Sequence, residues 1–151
     1  MTNRVGLINN CFQFLIFDYG FNIENMEFDS HSMGNALVIY ASPFFGIEAV
    51  IDRNQVLIRI GEIRESRKEW FDLIDVVNYY THEEKNVYSF PEKNELNSWD
   101  EIIEIQLESL ARVIYQFCRP ILIGQPWHKE EIVKIRDKRV AEMLNSYSKK
   151  R

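Results

Sequence analysis

Three histidines are the side chains of this chain best suited to proton transfer near neutral pH. His31 lies in a polar stretch two residues after Asp29, His82 is followed by two glutamates, and His128 follows a tryptophan. The sequence around His82 lacks the second histidine of the zinc-binding His-Glu-x-x-His motif. Because the three histidines are far apart in the sequence, only the fold could bring them together. We therefore predict no catalytic residue and no metal site.

The two cysteines give no sign of redox or metal chemistry. Cys11 and Cys118 each fall on the apolar side of a predicted helix, and neither has a partner at Cys-x-x-Cys spacing. We predict free, buried thiols that pack as small apolar side chains. The six glycines are scattered, so no glycine-rich phosphate loop occurs, and a Gly-x-Ser-x-Gly motif is also absent from the sequence. The sequence therefore predicts no cofactor.

Charge is distributed unevenly along the chain. Residues 1–128 contain 10 Lys and Arg residues against 19 Asp and Glu residues, whereas residues 129–151 contain 8 against 4. An acidic body repels nucleic acid, and it attracts basic proteins by accelerating their association. The sequence thus favours a basic protein partner over nucleic acid. The basic end of the chain is interpreted as a solvated helix surface.

An irregular stretch over residues 81–97 is the predicted partner-binding segment. A loop of this length within a compact domain is uncommon and is often functional. It combines acids with aromatic side chains, of which Tyr88 and Phe90 also suit anchoring of the loop to the body. The candidate contact residues are Glu83, Glu84, Tyr88, Glu92, Glu95 and, just beyond the loop, Trp99.

The elements that would position these residues begin with strands. Alternating apolar residues over 35–61 predict three short strands. The first turn between them contains Pro43, and the second contains Asn54, which tolerates a left-handed backbone. Residues 21–28 alternate with a slipped phase, which predicts a fourth strand with a β-bulge. Together they form a predicted four-stranded antiparallel meander, with one face available to helices and the other partly bare.

Two shorter helices are predicted beside the strands. Apolar residues at helical spacing cover residues 7–19, and Gly20 suits a left-handed turn that ends this helix. A second helix is predicted over residues 70–80, with Asp72 as its N-cap. The segment before it, residues 61–68, is charged and is predicted as a loop or a strand end.

Two longer helices are predicted in the last third of the chain. Ser98 and Glu101 form a capping box, and the helix that they open runs to about residue 118. Its residues Glu101, Glu104, Glu108 and Arg112 are predicted to face solvent, with the last two at the spacing of an ion pair. The final helix is predicted from about Pro126 to residue 147. Its apolar stripe is Val133, Val140, Leu144 and Tyr147, widened by Ile132, Ile135 and Met143.

Strands segregated from helices along the sequence indicate an α+β fold. The prediction is an N-terminal helix, a four-stranded antiparallel meander and then three helices packed on the sheet, in one domain over residues 1–151. No apolar run approaches the ~20 residues that a membrane-spanning helix needs. The first residues also lack the features of a secretory signal. We therefore predict a cytoplasmic protein without a membrane segment.

Three short motifs resemble one group of proteins. They are Tyr-Gly-Phe at 19–21, Asp-Arg-Asn-Gln-Val at 52–56 and Trp-Phe-Asp-Leu at 70–73. Over residues 12–77 their order resembles small bacterial proteins of unknown function, some of which are immunity proteins encoded beside polymorphic toxins. Asn54 stands where that pattern has a glycine. The resemblance implies a fold type and a binding role, and it carries over no active-site residue.

Two functions of different classes agree with these observations. The first is a non-enzymatic binding protein of the immunity or antitoxin kind, with a basic partner. The second is a small enzyme or ligand-binding domain with a pocket between sheet and helices, where His31, His82 or His128 works with a nearby carboxylate. A homodimer through the bare sheet face or the last helix is compatible with either function.

Overall fold

The computed structural model describes residues 3–31 and 34–149. A first helix, α1 (Arg4–Phe17), precedes four strands, β1 (Asn22–Asp29), β2 (Asn35–Ala41), β3 (Phe45–Asp52) and β4 (Gln55–Glu62). A 3₁₀ turn at Arg67–Glu69 leads to the two-residue strand β5 (Phe71–Asp72). The remaining helices are α2 (Leu73–Thr81), α3 (Trp99–Phe117), α4 (Arg119–Leu122) and α5 (Lys129–Lys149). This order confirms the predicted α+β class.

The sheet is a meander in the order β1-β2-β3-β4-β5, with every pair antiparallel. The predicted bulge is present in β1, where the register with β2 shifts between Ile23 and Asn25. The predicted count of four strands is wrong by one, because β5 was missed. Two residues are too few for alternation to be visible in a sequence. In the fold, Phe71 and Asp72 pair with the end of β4.

The hydrophobic core lies between one face of the sheet and the helices. Alternate side chains of β2, β3 and β4 are buried against α1, α2 and α3. Each such aliphatic side chain contributes about 1.5–3 kcal/mol when it is fully buried. The fully buried strand residues on this face are Val38, Tyr40, Ile47, Ala49, Ile51, Val56, Ile58 and Ile60.

The opposite face of the sheet is partly covered by one tryptophan. The Trp70 indole lies over the cross-strand pair Gly46 and Gly61, and a Cβ atom at either glycine would overlap the ring. The indole Nε1 donates a hydrogen bond to the carbonyl of Glu62 at 3.1 Å. The prediction that a helix starts at Trp70 is wrong. The helix begins only at Leu73, because the chain first extends to form β5.

The hairpin between β3 and β4 has the predicted conformation. Arg53 and Asn54 adopt φ values of 48° and 66°, so both central residues are left-handed, as a type I′ turn requires. A buried side chain of α3 holds the turn in place. Gln106 donates to the carbonyl of Asn54 at 2.9 Å and accepts from the N–H of Val56 at 3.0 Å. The tip of the sheet is thereby fixed to α3.

Predicted helix ends are confirmed where a capping residue defined them. Gly20 has a φ of 72°, and its N–H donates to the carbonyl of Ile16 at the end of α1. Asp72 caps α2 by accepting from the N–H of Ile74, and Ser98 caps α3 by accepting from the N–H of Glu101. Local hydrogen bonds of this kind depend on few residues, which makes them readable from sequence.

The last helix differs from its prediction at both ends. It begins at Lys129 rather than near Pro126, and α4, a single turn that contains Pro120, was not expected. Its predicted apolar stripe is only partly buried. Leu144 and Tyr147 are exposed, because the end of α5 extends beyond the helices and sheet of the core. Within the described ranges, no helix has the length and apolar character needed to cross a membrane.

Candidate partner-binding surface

The exposed sides of α1 and α3 form the candidate site, which we name the α1–α3 face. Helix α3 buries a stripe that includes Ile103, Leu107 and Ile114 against the core. Residues on the opposite side of the helix therefore point to solvent. Helix α1 packs beside α3, so the exposed residues of both helices belong to one surface. The α1–α3 face is made of Asn10, Gln13, Phe17, Glu101, Glu104, Ile105, Glu108, Arg112 and Tyr115.

Three glutamates give this face its charge. Glu101, Glu104 and Glu108 are spaced three and four residues apart, so they project from the same side of α3, and all three are exposed. Neither Glu104 nor Glu108 forms an ion pair with another described residue. Their field reaches α1, where burial raises the pKa of the Cys11 thiol to about 11 and the charges of Glu108 and Glu104 contribute to the rise.

Large apolar side chains are exposed on the same face. Phe17 is 77% exposed at the end of α1, and Ile105 and Tyr115 are 47% and 58% exposed on α3. The Tyr115 ring contacts Phe14 edge to face at a centroid distance of 5.8 Å, which holds the tyrosine in place against α1. Exposed aromatic side chains supported by their neighbours are the usual anchors of protein interfaces.

Two arginines mark the far end of the same face. The predicted pair between Glu108 and Arg112 is not among the ion pairs of the described residues, although the helical spacing allows it. Arg112 and Arg119 instead line an open groove of about 560 Å³ together with Tyr19, Tyr115 and Gln116. Arginine and tyrosine are enriched where protein interfaces hold most of their binding energy. The face thus has an acidic end and an aromatic, cationic end.

The glutamates predicted as contacts lie elsewhere, on the segment between α2 and α3. Glu83 approaches Lys85 at 3.3 Å, and Glu84 approaches Lys138 of α5 at 3.2 Å. Nearby cations therefore partly neutralise both. Glu92 and Glu95 are exposed further along the segment, and Trp99 is 43% exposed at the start of α3. Their role as partner contacts stays a prediction, whereas Glu101, Glu104 and Glu108 share one exposed side of α3.

Tyr88 anchors the segment to the sheet. Strand β5 pairs only with Arg59 and Ile60, so the rest of β4 has an open edge, and the Tyr88 hydroxyl lies there. The hydroxyl accepts from the N–H of Ile58 at 3.2 Å and donates to Asp72 Oδ1 at 2.9 Å. Burial raises the pKa of Asp72, although its hydrogen bonds from Ile74 and Tyr88 act in the opposite direction. The predicted anchoring role is thus visible in these contacts, and the hydroxyl is occupied within the protein.

The three histidines lie on different parts of the fold, after β1, at the end of α2 and before α5. His31, His82 and His128 are all exposed, and of the three only His82 lines a described cleft. This cleft, of about 550 Å³, lies between α5 and the end of α2. Lys138, Glu84 and Arg139 line it, but each already forms an ion pair with a neighbour. It opens between two helices, and the pocket expected between sheet and helices stays a prediction.

Thiol and metal chemistry gain no support from the geometry. Both cysteines are free: Cys11 is half-buried and Cys118 is fully buried, where burial raises its thiol pKa to about 12. In the part of the chain that the structure describes, no three side chains of His, Cys, Asp or Glu are grouped so as to hold a metal ion.

One residue that positions the face was missed in the sequence. Arg4 is buried, and it donates to Asn54 Oδ1 at 2.7 Å and to Asp100 Oδ1 at 3.2 Å. It therefore joins the start of α1, the β3–β4 turn and the start of α3. The available signal was its isolation, because no other Lys or Arg occurs before residue 53. A cation so far from other cations in the sequence suggests a specific side-chain partner in the fold, but the sequence does not identify that partner.

Comparisons were made with models of protein families, with curated proteins and with solved structures. None of them matches this chain.

Proposed function

We propose that this protein is a non-enzymatic binding module of the toxin-immunity or antitoxin kind, which acts in the cytoplasm on a basic protein. One observation supports this proposal above the others. The α1–α3 face combines three exposed glutamates with Phe17, Ile105 and Tyr115, and the exposed cations Arg112 and Arg119 lie at its far end. The same surface could therefore attract a basic protein and provide apolar anchors for it.

The charge and the apolar residues would act at different stages of binding. Clustered carboxylates accelerate the encounter with a cationic surface, and this effect weakens as salt is added. Apolar and aromatic side chains in the centre of an interface then slow dissociation once water is excluded. Ile105 lies between the glutamates on α3, so acid attraction and apolar contact would occur at one place.

The resemblance of residues 12–77 to immunity-like proteins agrees with this proposal. Proteins that neutralise a basic nuclease toxin need an acidic, shape-complementary surface and no catalytic centre. The motifs of the resemblance lie in the α1–β1 connection, the β3–β4 turn and the β5–α2 junction, which are structural positions here. They support the scaffold, and the α1–α3 face is then the part that would be specific to one partner.

The test is an affinity capture from a lysate of the source cell, at low and at moderate salt, with four baits. The first is the wild-type protein, and the second carries Glu101→Lys, Glu104→Lys and Glu108→Lys. The third carries Glu83→Lys, Glu92→Lys and Glu95→Lys in the segment first predicted to bind. The fourth, with the same change in charge on α5, carries Glu130→Lys, Glu131→Lys and Glu142→Lys, and circular dichroism checks that every bait is folded.

We expect the wild type and the α5 control to retain the same basic protein at low salt, and to retain less of it as salt rises. The bait with a reversed α3 charge should lose it. Loss with the third bait alone would instead assign binding to residues 81–97. Retention of no basic protein by the folded wild type, or equal retention by all four baits, would contradict the proposed function.

A second candidate function is a small-molecule site in the cleft that His82 lines. The observation that favours it is the volume of about 550 Å³ beside an exposed imidazole with neighbouring carboxylates. A ligand held there should raise the melting temperature of the wild type and not that of His82→Ala. A metabolite panel that leaves both melting temperatures unchanged would count against this candidate.

A further inference from the structure

Strand β1 leaves one edge of the sheet open. It pairs only with β2 among the described strands, so the main-chain groups on its outer side have no strand partner there. The bulge is confined to its beginning, and residues 25–29 pair regularly with β2. An open edge of this length is a template on which an extended segment of another protein can add a strand.

The charges that β1 itself carries are all of one sign, and Arg53 of the β3–β4 turn pairs with Asp52 at 3.5 Å. No Lys or Arg occurs between Arg4 and Arg53, whereas Glu24, Glu27 and Asp29 lie on β1 itself. All three acids are exposed, and neither Glu24 nor Glu27 forms an ion pair with a described residue. The edge is therefore complementary to a segment that carries Lys or Arg.

The two faces of β1 differ in chemistry. Met26 and Phe28 are opposite Val38 and Ala36, on the side of the sheet that α1 covers, and both are exposed at the edge. Asn25, Glu27 and Asp29 are opposite outward residues of β2, on the other side. On that side Glu27, Asp29 and Asp52 line a groove of about 260 Å³ whose floor includes Leu37 and Val50.

We infer that β1 binds an extended segment of the partner as an added strand, with cationic and apolar side chains in alternation. Side chains on successive residues of an added strand point to opposite faces. Its cations would lie beside Glu27 and Asp29, and its apolar side chains beside Met26 and Phe28. The inference rests on the proposed function, since it specifies how the same basic partner is recognised.

A second copy of this chain does not fit the edge. Antiparallel pairing of β1 with β1 would place the acids of one copy beside those of the other, and like charges opposite each other destabilise a strand pair. Acidic side chains on an edge strand thus oppose self-association while they leave the edge open to a basic strand. Charge complementarity therefore selects the basic segment as the occupant.

The test uses a fluorescein-labelled peptide, Lys-Val-Lys-Val-Lys-Val-Lys, with the full-length protein. One control peptide has the same composition in blocks, and the other has alternate backbone nitrogens methylated, which removes donors without changing charge. Affinity is measured by fluorescence anisotropy at low salt, and hydrogen exchange of residues 22–29 is followed with each peptide. The protein variants are Glu27→Lys and, as a control with the same charge change on α5, Glu130→Lys.

We expect the alternating peptide to bind about tenfold more tightly than either control peptide. The methylated control lacks main-chain donors, and the block control cannot place its lysines on one face of the added strand and its valines on the other. Binding of this peptide should slow hydrogen exchange in β1. The Glu27→Lys variant should bind the peptide more weakly than the wild type, whereas Glu130→Lys should bind it equally well. Equal affinity for the three peptides, or unchanged exchange in β1, would overturn the inference. The proposed function would still stand if capture depends on α3, so the two failures are distinguishable.

Discussion

At the residue scale, the two thiols give a prediction that depends on burial. Burial raises the thiol pKa of Cys118 to about 12 and that of Cys11 to about 11. At pH 8 the reactive thiolate is therefore much scarcer than for a free cysteine, whose pKa is about 8.5. We expect a chromogenic disulfide reagent to react slowly with Cys11 and hardly at all with Cys118 in the folded protein. In guanidinium both should react at once.

The order of reaction is what makes this prediction specific. Cys11 is only half-buried beside Glu104 and Glu108, so raising the pH should accelerate its reaction before that of Cys118. The variant Cys11→Ser serves as the control, since it leaves Cys118 as the single thiol. Rapid labelling of that variant at pH 8 would show that the site around Cys118 is open to solvent.

The glycines beneath Trp70 give a second prediction for single residues. In Gly61→Ala the new methyl group would overlap the indole, which packs on the sheet and has little room to move. Overpacking of this kind costs about 1–3 kcal/mol in free energy of unfolding. The matched control is Gly6→Ala, since Gly6 is exposed in α1 with open space around it. The control should gain up to about 1 kcal/mol from better helix propensity.

Chemical denaturation monitored by Trp fluorescence measures the free energy of unfolding of both glycine variants. A Gly61→Ala protein as stable as the wild type would mean that the Trp70 ring does not rest on this strand pair. The residue pattern alone could not predict this packing. Gly46 and Gly61 are far apart in sequence, and only the antiparallel register places them side by side.

At the scale of elements, the segment between α2 and α3 depends on one tyrosine. In Tyr88→Phe the N–H of Ile58 loses its acceptor and Asp72 loses a donor. We expect a loss of about 1–3 kcal/mol in free energy of unfolding, because a buried donor is left unsatisfied. Tyr147→Phe is the control, since Tyr147 is exposed on α5 and should change stability by no more than about 0.5 kcal/mol.

Hydrogen exchange provides a local readout for the same variant. The amide of Ile58 should exchange faster in Tyr88→Phe, whereas amides of α3 should change only as far as global stability does. If Ile58 kept its protection and stability were unchanged, the hydroxyl would not hold the segment to β4. In that case Tyr88 would be free for the partner contact that the sequence analysis assigned to it.

Elements were predictable from sequence to the extent that short-range rules define them. The caps at Asp72 and Ser98, the left-handed Asn54 and the bulge in β1 each depend on a few consecutive residues, and each is found. Strand β5 and the start of α2 depend instead on the edge of β4, which is distant in sequence. Tertiary pairing therefore decided what local propensity left open.

The candidate site was likewise predictable only where local residues determine it. That Glu101, Glu104 and Glu108 would share the solvent side of α3 follows from helical periodicity. The sequence could not show that α1, beside them, presents uncharged residues such as Asn10, Gln13 and Phe17, because that requires the packing of two helices. The acids of residues 81–97 were more conspicuous in sequence, yet two of them approach lysines in the fold.

At the scale of the whole molecule, charge is separated in space as well as in sequence. Glu24, Glu27, Glu104 and Glu108 are exposed on β1 and α3 and form no ion pair with a described residue, whereas α5 carries six of the described cations beside four acids and packs on α2. A basic partner would thus be attracted more strongly to β1 and α3 than to α5. Such an asymmetric field orients a partner before contact and is weakened by salt.

The end of α5 gives the last prediction. Residues 141–148 are all exposed, so removal of residues 142–151 should change the free energy of unfolding by no more than about 0.5 kcal/mol. The contact that fixes α5 lies before the cut, where Arg139 donates to both oxygens of the buried Asp75 at 2.7 and 2.8 Å. Arg139→Met should cost about 3–5 kcal/mol, because it leaves that carboxylate buried without its cation.

Thermal and chemical unfolding at several protein concentrations would check both changes. The truncated protein should also keep its binding to the basic partner, since the cut removes nothing from the α1–α3 face or the β1 edge. A marked loss of stability on truncation, growing with protein concentration, would contradict the prediction. It would mean that Leu144 and Tyr147 are covered by a second copy in solution, because only an association would make their removal depend on concentration.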